Sequence, residues 1–314
     1  MGLAAPATPS VSRVPRLPAP QMGERRETTE DFCPMFARMS DIKHPDWKAV
    51  DAAVTVGAKA KLADLGTRAD DLFDDKKEGE KLVTANAEAI NVLQDRLFAE
   101  RKRALLVVLQ GTDTSGKDGT VRGVFNATGP IGVQVTPFGK PSEEELAHDY
   151  LWRVHAAMPK KGVIGIFNRS HYEDVLVVKV RKFAPADAIA RRYDDIVAFE
   201  EHLTHNGVTI LKFMLHISKD AQKERLEDRL QDLTKRWKWN AADLEDRKLW
   251  DDYQNAYETM LRRTSSAHAP WRVVPADRKW QRNAIISTIV RGTLEEMNPQ
   301  YPVYDWKPED FPIP

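Results

Sequence analysis

The chain is poor in cysteine and has no net charge, and each shortage excludes a class of protein. Cys33 is the only cysteine in 314 residues, so no disulfide framework is expected and a reducing cytosol is favoured. The formal net charge is +0, so any attraction for polyanions must come from a local basic patch, and nucleic acid is not an expected partner.

Long apolar runs are also missing. No run approaches ~18 residues, the length at which a transmembrane helix becomes plausible, so no membrane span is expected. The N-terminus lacks the apolar core of a signal peptide. We therefore expect a cytoplasmic protein with no membrane partner.

Composition divides the chain into three parts. Residues 1–45 are rich in Pro, Ala and Ser and then in charge, which predicts a flexible N-terminal extension. Residues 46–298 carry the apolar periodicity of one globular domain. Residues 299–314 form a proline-punctuated C-terminal tail.

One stretch organises the domain. The apolar run 104–109 predicts a strand buried on both faces, and it is followed by Gly111, four residues and then Gly116-Lys117. This spacing is that of a phosphate-binding loop, in which backbone N–H groups surround an anion and the next helix, over about 118–126, adds its positive end. Lys117 would reach the phosphate as a point charge. The alternative is a glycine-rich turn in another α/β protein.

The loop departs from the usual phosphate-loop pattern in its polar residues. Asp118 occupies the place of the usual Ser or Thr, whereas an acid, Asp113, lies within the loop and a hydroxyl comes later, at Thr120. An acid inside a phosphate cradle repels the ligand unless a cation lies between them. The loop therefore implies a divalent metal ion.

Strands alternate with helices along the rest of the chain. Strands are predicted over 104–109, 133–136, 163–167, 208–217 and 271–275, and helices over about 82–97, 118–126, 142–158, 185–205, 218–233, 243–263 and 280–297. Ser142 and Glu145 have the spacing of a capping box. The alternation predicts an α/β fold with a parallel sheet between helical layers.

A second group of polar residues follows the strand 163–167. It begins with Asn168 and Arg169 and includes Glu173 and Asp174. Because ligands bind beyond the carboxyl ends of parallel strands, Arg169 is expected to face phosphate and the acids to contact metal, water or acceptor. The alternative is a polar loop in which Ser170 caps a helix.

Four motifs in order resemble those of the family-2 polyphosphate kinases. They are Gly111-Thr-Asp-Thr-Ser-Gly-Lys-Asp-Gly119, Phe167-Asn-Arg-Ser-His-Tyr-Glu-Asp174, Trp250-Asp-Asp-Tyr253 and Ala269-Pro-Trp-Arg-Val-Val-Pro-Ala-Asp277. The resemblance runs from about residue 80 to 298. It implies a thymidylate-kinase-like phosphate-loop kinase fold with a helical lid over about 219–263, and phosphoryl transfer between inorganic polyphosphate and nucleotides with Mg²⁺ or Mn²⁺. The family also suggests a homo-oligomer.

The resemblance assigns roles to further residues. Arg225 and Arg229 match the paired arginines of the lid, where they would hold nucleotide phosphates. Many members carry Asp where this chain has Asn168, and the Asn-containing version resembles the third subclass, which acts on AMP and ADP. Glu173 would then replace part of the missing carboxylate at the metal.

These observations together define an expected site. Its catalytic residues are Asp113, Lys117, Asn168, Arg169 and Glu173, with Asp113 and Glu173 also holding the metal. Its phosphate-binding residues are Gly111, Thr114, Ser115, Gly116, Asp118, Gly119, Thr120, Arg122, Lys179 and Arg181, the last three forming a basic path for the remaining polyphosphate.

The expected function is transfer of phosphoryl groups from polyphosphate to AMP and ADP, reversibly, with guanine nucleotides as further candidate acceptors. Two alternatives stay open from the sequence. One is an ATP-dependent nucleotide kinase on the same fold, which requires a base-specific donor pocket. The other is a non-catalytic polyphosphate-binding protein, against which the presence of Asp113, Lys117 and Arg169 argues.

Overall fold

The structure, a computed structural model, describes residues 42–57 and 59–313. Six strands form one sheet in the order β1-β6-β5-β2-β4-β3. Their bounds are Thr55–Val56 (β1), Ala104–Gln110 (β2), Val133–Pro137 (β3), Ile164–Asn168 (β4), Val208–His216 (β5) and Trp271–Pro275 (β6). Strands β2 to β6 run parallel, and β1 pairs antiparallel with β6. The five predicted strands and their parallel arrangement are confirmed, whereas β1, only two residues long, was not predicted.

Helices accompany the strands along the chain. Their bounds are Trp47–Val54 (α1), Lys76–Glu100 (α2), Lys117–Val124 (α3), Glu143–Ala147 (α4), Trp152–Ala156 (α5), Val177–Val180 (α6), Ala186–His205 (α7), Lys219–Gln231 (α8), Ala242–Lys248 (α9), Trp250–Thr264 (α10) and Lys279–Met297 (α11). Within the described residues, no helix is long and apolar enough to cross a membrane. The predicted N-terminal extension lies almost entirely outside the described residues.

The core lies on both faces of the sheet because its central strand β2 is apolar from Ala104 to Leu109. All seven residues of β2 are buried. Successive side chains of a strand point to opposite faces, and accordingly Leu105 and Val107 belong to one apolar cluster while Leu106 and Val108 belong to the other. Helices cover each cluster, so the predicted layered α/β arrangement is confirmed.

The predicted helix over 142–158 is wrong in its length. Its capping box is present, with Ser142 Oγ accepting from the Glu145 N–H, but α4 ends at Ala147 and α5 begins at Trp152. Between them the Asp149 carboxylate accepts a hydrogen bond from the backbone N–H of Leu151 at 2.9 Å. Such a local side-chain bond offers the backbone an alternative to the helix.

The predicted helix over 243–263 is also divided. Helix α9 ends at Lys248 and α10 starts at Trp250, with the Leu249 N–H bonded to the Asp246 carbonyl at 3.0 Å. This bond spans three residues, a tighter turn than that of an α-helix. The segment from α8 to α10 corresponds to the predicted lid.

Strand pairing brings the two predicted site segments together. Strand β2 pairs in parallel with β4, with Leu109 opposite Asn168. Both strands therefore end at the same edge of the sheet. The loop after β2 and the turn after β4 start side by side there.

Candidate active site

The loop between β2 and α3 needs glycine at defined positions. The φ angles of Gly111 and Gly116 are +148° and +103°, which side-chain-bearing residues rarely adopt. A Cβ on Gly116 would also lie 1.9 Å from an Nη of Arg282. Thr114, with φ +65°, is a further left-handed residue in the same loop. The turn is thus tightly curved and closely packed from behind.

Lys117 closes this loop from within. The residue is 8% exposed, and its ammonium donates to the carbonyls of Gly111 at 2.7 Å and Thr112 at 3.2 Å. Burial, with a contribution from the nearby Arg169, lowers the pKa of Lys117 to about 8. A bound anion would favour the charged form and reverse that shift.

Three hydroxyls of the loop are buried without a hydrogen-bond partner. They are Oγ1 of Thr112, Oγ1 of Thr114 and Oγ of Ser115. Unsatisfied buried polar groups cost free energy, and in native proteins they mark places where a ligand, ion or water completes the bonding. With Lys117, these hydroxyls make the loop suitable for an oxyanion.

Arg169 lies between the two acids that the sequence analysis assigned to a metal. Its guanidinium donates to Oδ1 of Asp113 at 2.7 Å and lies 3.7 Å from Oε2 of Glu173. Its own φ is +65°, so the chain turns sharply after β4 to place it there. Burial raises the pKa of Glu173, although Arg169 opposes the shift.

The donor set suits a divalent metal ion in part. Among the described residues, no three His, Cys, Asp or Glu side chains form a group that could hold a metal by themselves. Asp113, Glu173 and the unpartnered Thr112 hydroxyl nevertheless supply oxygen ligands, which Mg²⁺ and Mn²⁺ prefer, and such ions usually complete their shell with water and substrate phosphate. The residues fit such an ion, and the metal role of both acids stays a prediction.

Asn168 and Asp118 form a pair across the two segments. Nδ2 of Asn168 donates to Oδ1 of Asp118 at 2.8 Å, and the other carboxylate oxygen of Asp118 accepts from Nζ of Lys238 at 2.6 Å. The hydrogen bond from Lys238, followed by that from Asn168, lowers the pKa of Asp118 despite its partial burial. Lys238 belongs to the predicted lid, so Asp118 joins that segment to the start of α3.

The two lid arginines have different surroundings. Arg225 donates through one terminal nitrogen to the carbonyls of Thr114 at 2.9 Å and Ser115 at 3.3 Å. Its other terminal nitrogen donates to the carbonyls of Ala276 and Asp277, at 2.6 Å and 2.8 Å. It therefore ties the loop to the segment after β6.

Arg229 instead has a carboxylate partner. One terminal nitrogen lies 3.0 Å from Oδ2 of Asp243. Burial, helped by the nearby Asp113, raises the pKa of Asp243 to about 6. Arg229 also lines the cleft described next.

A large cleft, of about 700 Å³, opens in front of the loop. It is rich in cations, which are Lys117, Arg122, Arg169, Arg225, Arg229, Lys235, Lys238 and Lys279. The acids in its wall are fewer, namely Asp113, Asp118, Asp228 and Asp243. A surface with this excess of positive charge attracts a polyanion.

A second, small cavity, of about 40 Å³, lies beside the cleft. Asp113 and Arg169 line both, so the two spaces meet at this ion pair. The small cavity is also lined by Glu173 and by the aromatic side chains of Trp250, Tyr253 and Tyr257.

Some of the remaining predicted site residues line the large cleft and others do not. Gly119 and Arg122 lie on the large cleft, whereas Thr120 is buried and its hydroxyl bonds to the Gly116 carbonyl at 3.2 Å. Lys179 approaches the Tyr193 hydroxyl at 3.5 Å, and Nε of Arg181 donates to Asp246 at 3.0 Å. Neither Lys179 nor Arg181 lines the large cleft. Their role as a polyphosphate path stays a prediction.

Two residues near the loop escaped the sequence analysis. Lys238 lies between the predicted helices over 218–233 and 243–263, and no motif distinguished it. Arg282 lies four residues before Ile286 and seven before Ile289, on the apolar face of α11, and this position could have marked it as buried. It is 2% exposed and donates to the Ser115 carbonyl at 3.3 Å.

Comparison with known proteins places these features in a family. Residues 73–302 match the family described as polyphosphate kinase 2. A protein of Meiothermus ruber named AMP/ADP-polyphosphate phosphotransferase is 55% identical over 210 residues, which cover 67% of this chain and 79% of the relative. An ADP-polyphosphate phosphotransferase of Rhodopseudomonas palustris is 40% identical over 258 residues, covering 78% and 89%.

The solved structures agree with the sequence relatives. The crystal structure of polyphosphate kinase 2 from Arthrobacter aurescens TC1 superposes with a TM-score of 0.82 at 39% identity, covering 86% of this chain and 96% of that one. The predicted α/β phosphate-loop kinase fold is confirmed by this similarity and by the mostly parallel sheet.

Proposed function

The chain belongs to the polyphosphate kinase 2 family and is a phosphotransferase, and we propose that its large cleft binds inorganic polyphosphate for transfer to AMP and to ADP. Relatives named for polyphosphate-dependent phosphorylation of AMP and ADP support this activity. Neither an ATP-dependent kinase nor a non-catalytic binding protein receives support from them.

One observation carries the assignment of the donor. The loop built for an oxyanion opens directly into the cleft with eight cationic side chains. A single terminal phosphate needs only the loop and Lys117. Cations that extend as far as Arg122, Lys235 and Lys279 suit a chain of several phosphates.

In this proposal the acceptor binds on the other side of the Asp113–Arg169 pair. Its terminal phosphate would contact Arg169, which lines both cavities. The aromatic rings of Trp250 and Tyr253 offer surfaces for a nucleobase. Since the small cavity has about 40 Å³, a nucleotide enters there only if these side chains move apart.

The reaction is an in-line transfer between phosphates. An oxygen of the acceptor's terminal phosphate attacks the terminal phosphorus of polyphosphate, the bond from that phosphorus to its bridging oxygen breaks, and the shortened polyphosphate keeps the bridging oxygen. Because the acceptor oxygen is already ionised, no general base is required. Lys117 and the loop N–H groups hold the donor, and Arg169 stabilises charge at the point of transfer.

The proposed metal is Mg²⁺ or Mn²⁺, held by Asp113 with Glu173. When bound, such an ion neutralises charge on the phosphate oxygens. Arg169 meanwhile holds Asp113 in place at 2.7 Å.

The range of acceptors is the finer part of the proposal. Asn168 is a neutral amide that does not repel an anionic acceptor, and its NH₂ group can donate to a phosphate oxygen. Glu173 could orient a water where the shorter AMP leaves space. We infer acceptance of both AMP and ADP, with guanine nucleotides as further candidates, in a cytoplasmic homo-oligomer.

A direct assay tests the proposal. The protein is incubated with polyphosphate, Mg²⁺ and AMP, ADP, GMP or GDP, and the nucleotides are quantified over time. AMP should pass through ADP to ATP, and Lys117→Ala should form neither product. Formation of ADP from AMP with ATP but not with polyphosphate would identify an ATP-dependent kinase. Tight polyphosphate binding without any nucleotide product would identify a binding protein.

A further inference from the structure

A buried arginine supports the phosphate loop from behind. Arg282, in α11, is 2% exposed and does not line the large cleft. Nη1 donates to the Ser115 carbonyl at 3.3 Å. Nε and Nη2 both donate to Oδ1 of Asn283, at 3.1 Å and 2.9 Å. All of its hydrogen-bond acceptors are therefore neutral.

Arg282 shares this property with Lys117 of the loop, whose acceptors are also backbone carbonyls, but it differs from Lys212 and Arg272. Lys212 lies 2.6 Å from a carboxylate oxygen of Glu200, and Arg272 is paired with Asp51. Within residues 42–57 and 59–313, no carboxylate lies within the 4.0 Å of an ion pair with Arg282. The charged groups around it are Arg225 and Lys279, both cations. Burial and then Arg225 lower the pKa of Arg282 to about 9.

The guanidinium of Arg282 packs directly against backbone of the loop and of α3 that lines the cleft. A Cβ on Gly116 would lie 1.9 Å from one terminal nitrogen of Arg282, and a Cβ on Gly119 would lie 3.2 Å from the other. Both glycines line the cleft on their other side. An anion bound to the loop would thus be opposite Arg282 across one layer of backbone.

A buried cation without a counter-charge is costly to the fold. The cost is offset when an anion arrives close enough for a Coulomb interaction that solvent screens only weakly. In this site the anion is the ligand itself.

We propose that Arg282 is a positioning residue whose buried charge raises the affinity of the loop for a phosphate group that it does not touch. The inference rests on the proposed function, because the ligand is taken to be the terminal part of a polyphosphate. It predicts that loss of the Arg282 charge does not destabilise the ligand-free protein but weakens the binding of polyphosphate.

Two substitutions separate charge from hydrogen bonding. Arg282→Gln keeps an N–H donor in the side chain but is neutral, whereas Arg282→Lys keeps the charge. Arg291→Met is the matched control, since Arg291 lies on the same helix and is paired with Glu295 and bonded to Asn86, away from the loop. The measurements are Tm without ligand, the Kd of tripolyphosphate by calorimetry, and kcat and KM for polyphosphate.

Charge loss should weaken binding without weakening the empty fold. Arg282→Gln should keep or raise the Tm of the ligand-free protein and raise the tripolyphosphate Kd about tenfold, the scale of a charge–charge interaction across several ångströms of protein. Its KM for polyphosphate should rise more than its kcat falls. Arg282→Lys should stay within about threefold of wild type in Kd, by the same Coulomb argument. Arg291→Met should lower Tm and leave Kd unchanged.

The inference is overturned if Arg282→Gln binds tripolyphosphate as tightly as wild type, whatever its Tm, or if Arg282→Lys binds as weakly as Arg282→Gln. These outcomes differ from a failure of the proposed function. Wild type that binds tripolyphosphate more tightly than Arg282→Gln but transfers nothing to AMP or ADP would refute the function alone. Wild type that transfers phosphate while both Arg282 variants bind normally would refute the inference alone.

Discussion

Nδ2 of Asn168 donates to Oδ1 of Asp118 at 2.8 Å, which joins the end of β4 to the start of α3. In the sequence these residues are two separate departures from familiar patterns, a missing carboxylate at 168 and an additional one at 118. In the folded protein the two departures are adjacent. The cleft thus has one carboxylate where the two residues meet, and it belongs to Asp118 of α3 and not to position 168 of β4.

Exchanging the two residues should therefore be tolerated better than changing one. Asn168→Asp alone would put two carboxylates within hydrogen-bond distance and should lower kcat/KM about tenfold or more, since like charges at close range are costly. The double variant Asn168→Asp with Asp118→Asn should recover most of that loss. The measurement is kcat/KM for AMP and for ADP in all four proteins. A loss in the double variant equal to the product of the two single-variant losses would mean that the two positions act independently.

Lys117 should make polyphosphate binding depend on pH. Its pKa in the empty site is about 8, below that of a free lysine, so above pH 8 the ammonium must regain a proton when an anion binds. Tripolyphosphate affinity should thus fall with rising pH, by about tenfold per unit above that value. Calorimetry between pH 7 and 9.5 measures it. Lys117→Met should bind tripolyphosphate weakly at every pH and should not show this fall in affinity above pH 8. The same pH dependence of affinity in wild type and variant would contradict a role of Lys117 in binding.

Asp113→Asn should weaken the dependence on metal and reduce the rate severely. The carboxylate lies between the loop and Arg169, and no other acid in the large cleft contacts that guanidinium. The measurement is rate against Mg²⁺ and Mn²⁺ concentration. Asp174→Asn is the control, because Asp174 lies one residue after Glu173 but is paired with Arg192 at 3.1 Å. Metal titrations of Asp113→Asn that superimpose on wild type would exclude Asp113 as a ligand.

Arg225→Ala and Arg229→Ala should affect different properties. Loss of Arg225 removes hydrogen bonds from four backbone carbonyls and should lower both Tm and rate, because buried acceptors lose a charged donor. Loss of Arg229 removes one ion pair with Asp243 and a cleft cation, so KM for polyphosphate should rise with little change in Tm. Equal Tm losses in the two variants would show that both arginines serve the loop.

Lys238→Met should remove one contact of the predicted lid, the one with the start of α3, while Arg225 still holds the loop. Its bond to Asp118, at 2.6 Å, is the lid's link to α3, and breaking a partly exposed charged pair should raise KM for polyphosphate about fivefold. Lys235→Met is the matched control, since Lys235 lines the same cleft but pairs with Asp232 three residues earlier. A smaller rise is expected there, from the lost charge only. Equal effects would mean that the link to Asp118 has no separate role.

Local features were predictable from the sequence because local interactions produce them. The apolar run of β2, the glycine spacing of the loop and the capping box at Ser142 each depend on residues within a few positions of one another. The errors arose where a short-range competitor was overlooked, as with the Asp149 side chain that divides α4 from α5. The motifs were also sufficient to identify the family.

The tertiary structure alone decided which distant residues meet. Asn168 reaches Asp118 only because β4 pairs directly with β2, and periodicity does not reveal the strand order β5-β2-β4. Arg282 contacts Ser115 across 167 positions because α11 packs against α3 and brings a buried charge behind the loop. A sequence shows that a residue is charged. Packing between distant segments decides whether its partner is a neutral group or an opposite charge, and that partner sets the pKa and the role of the residue. Charge and helix propensity are properties of single residues, whereas burial and counter-charge are properties of the assembled core.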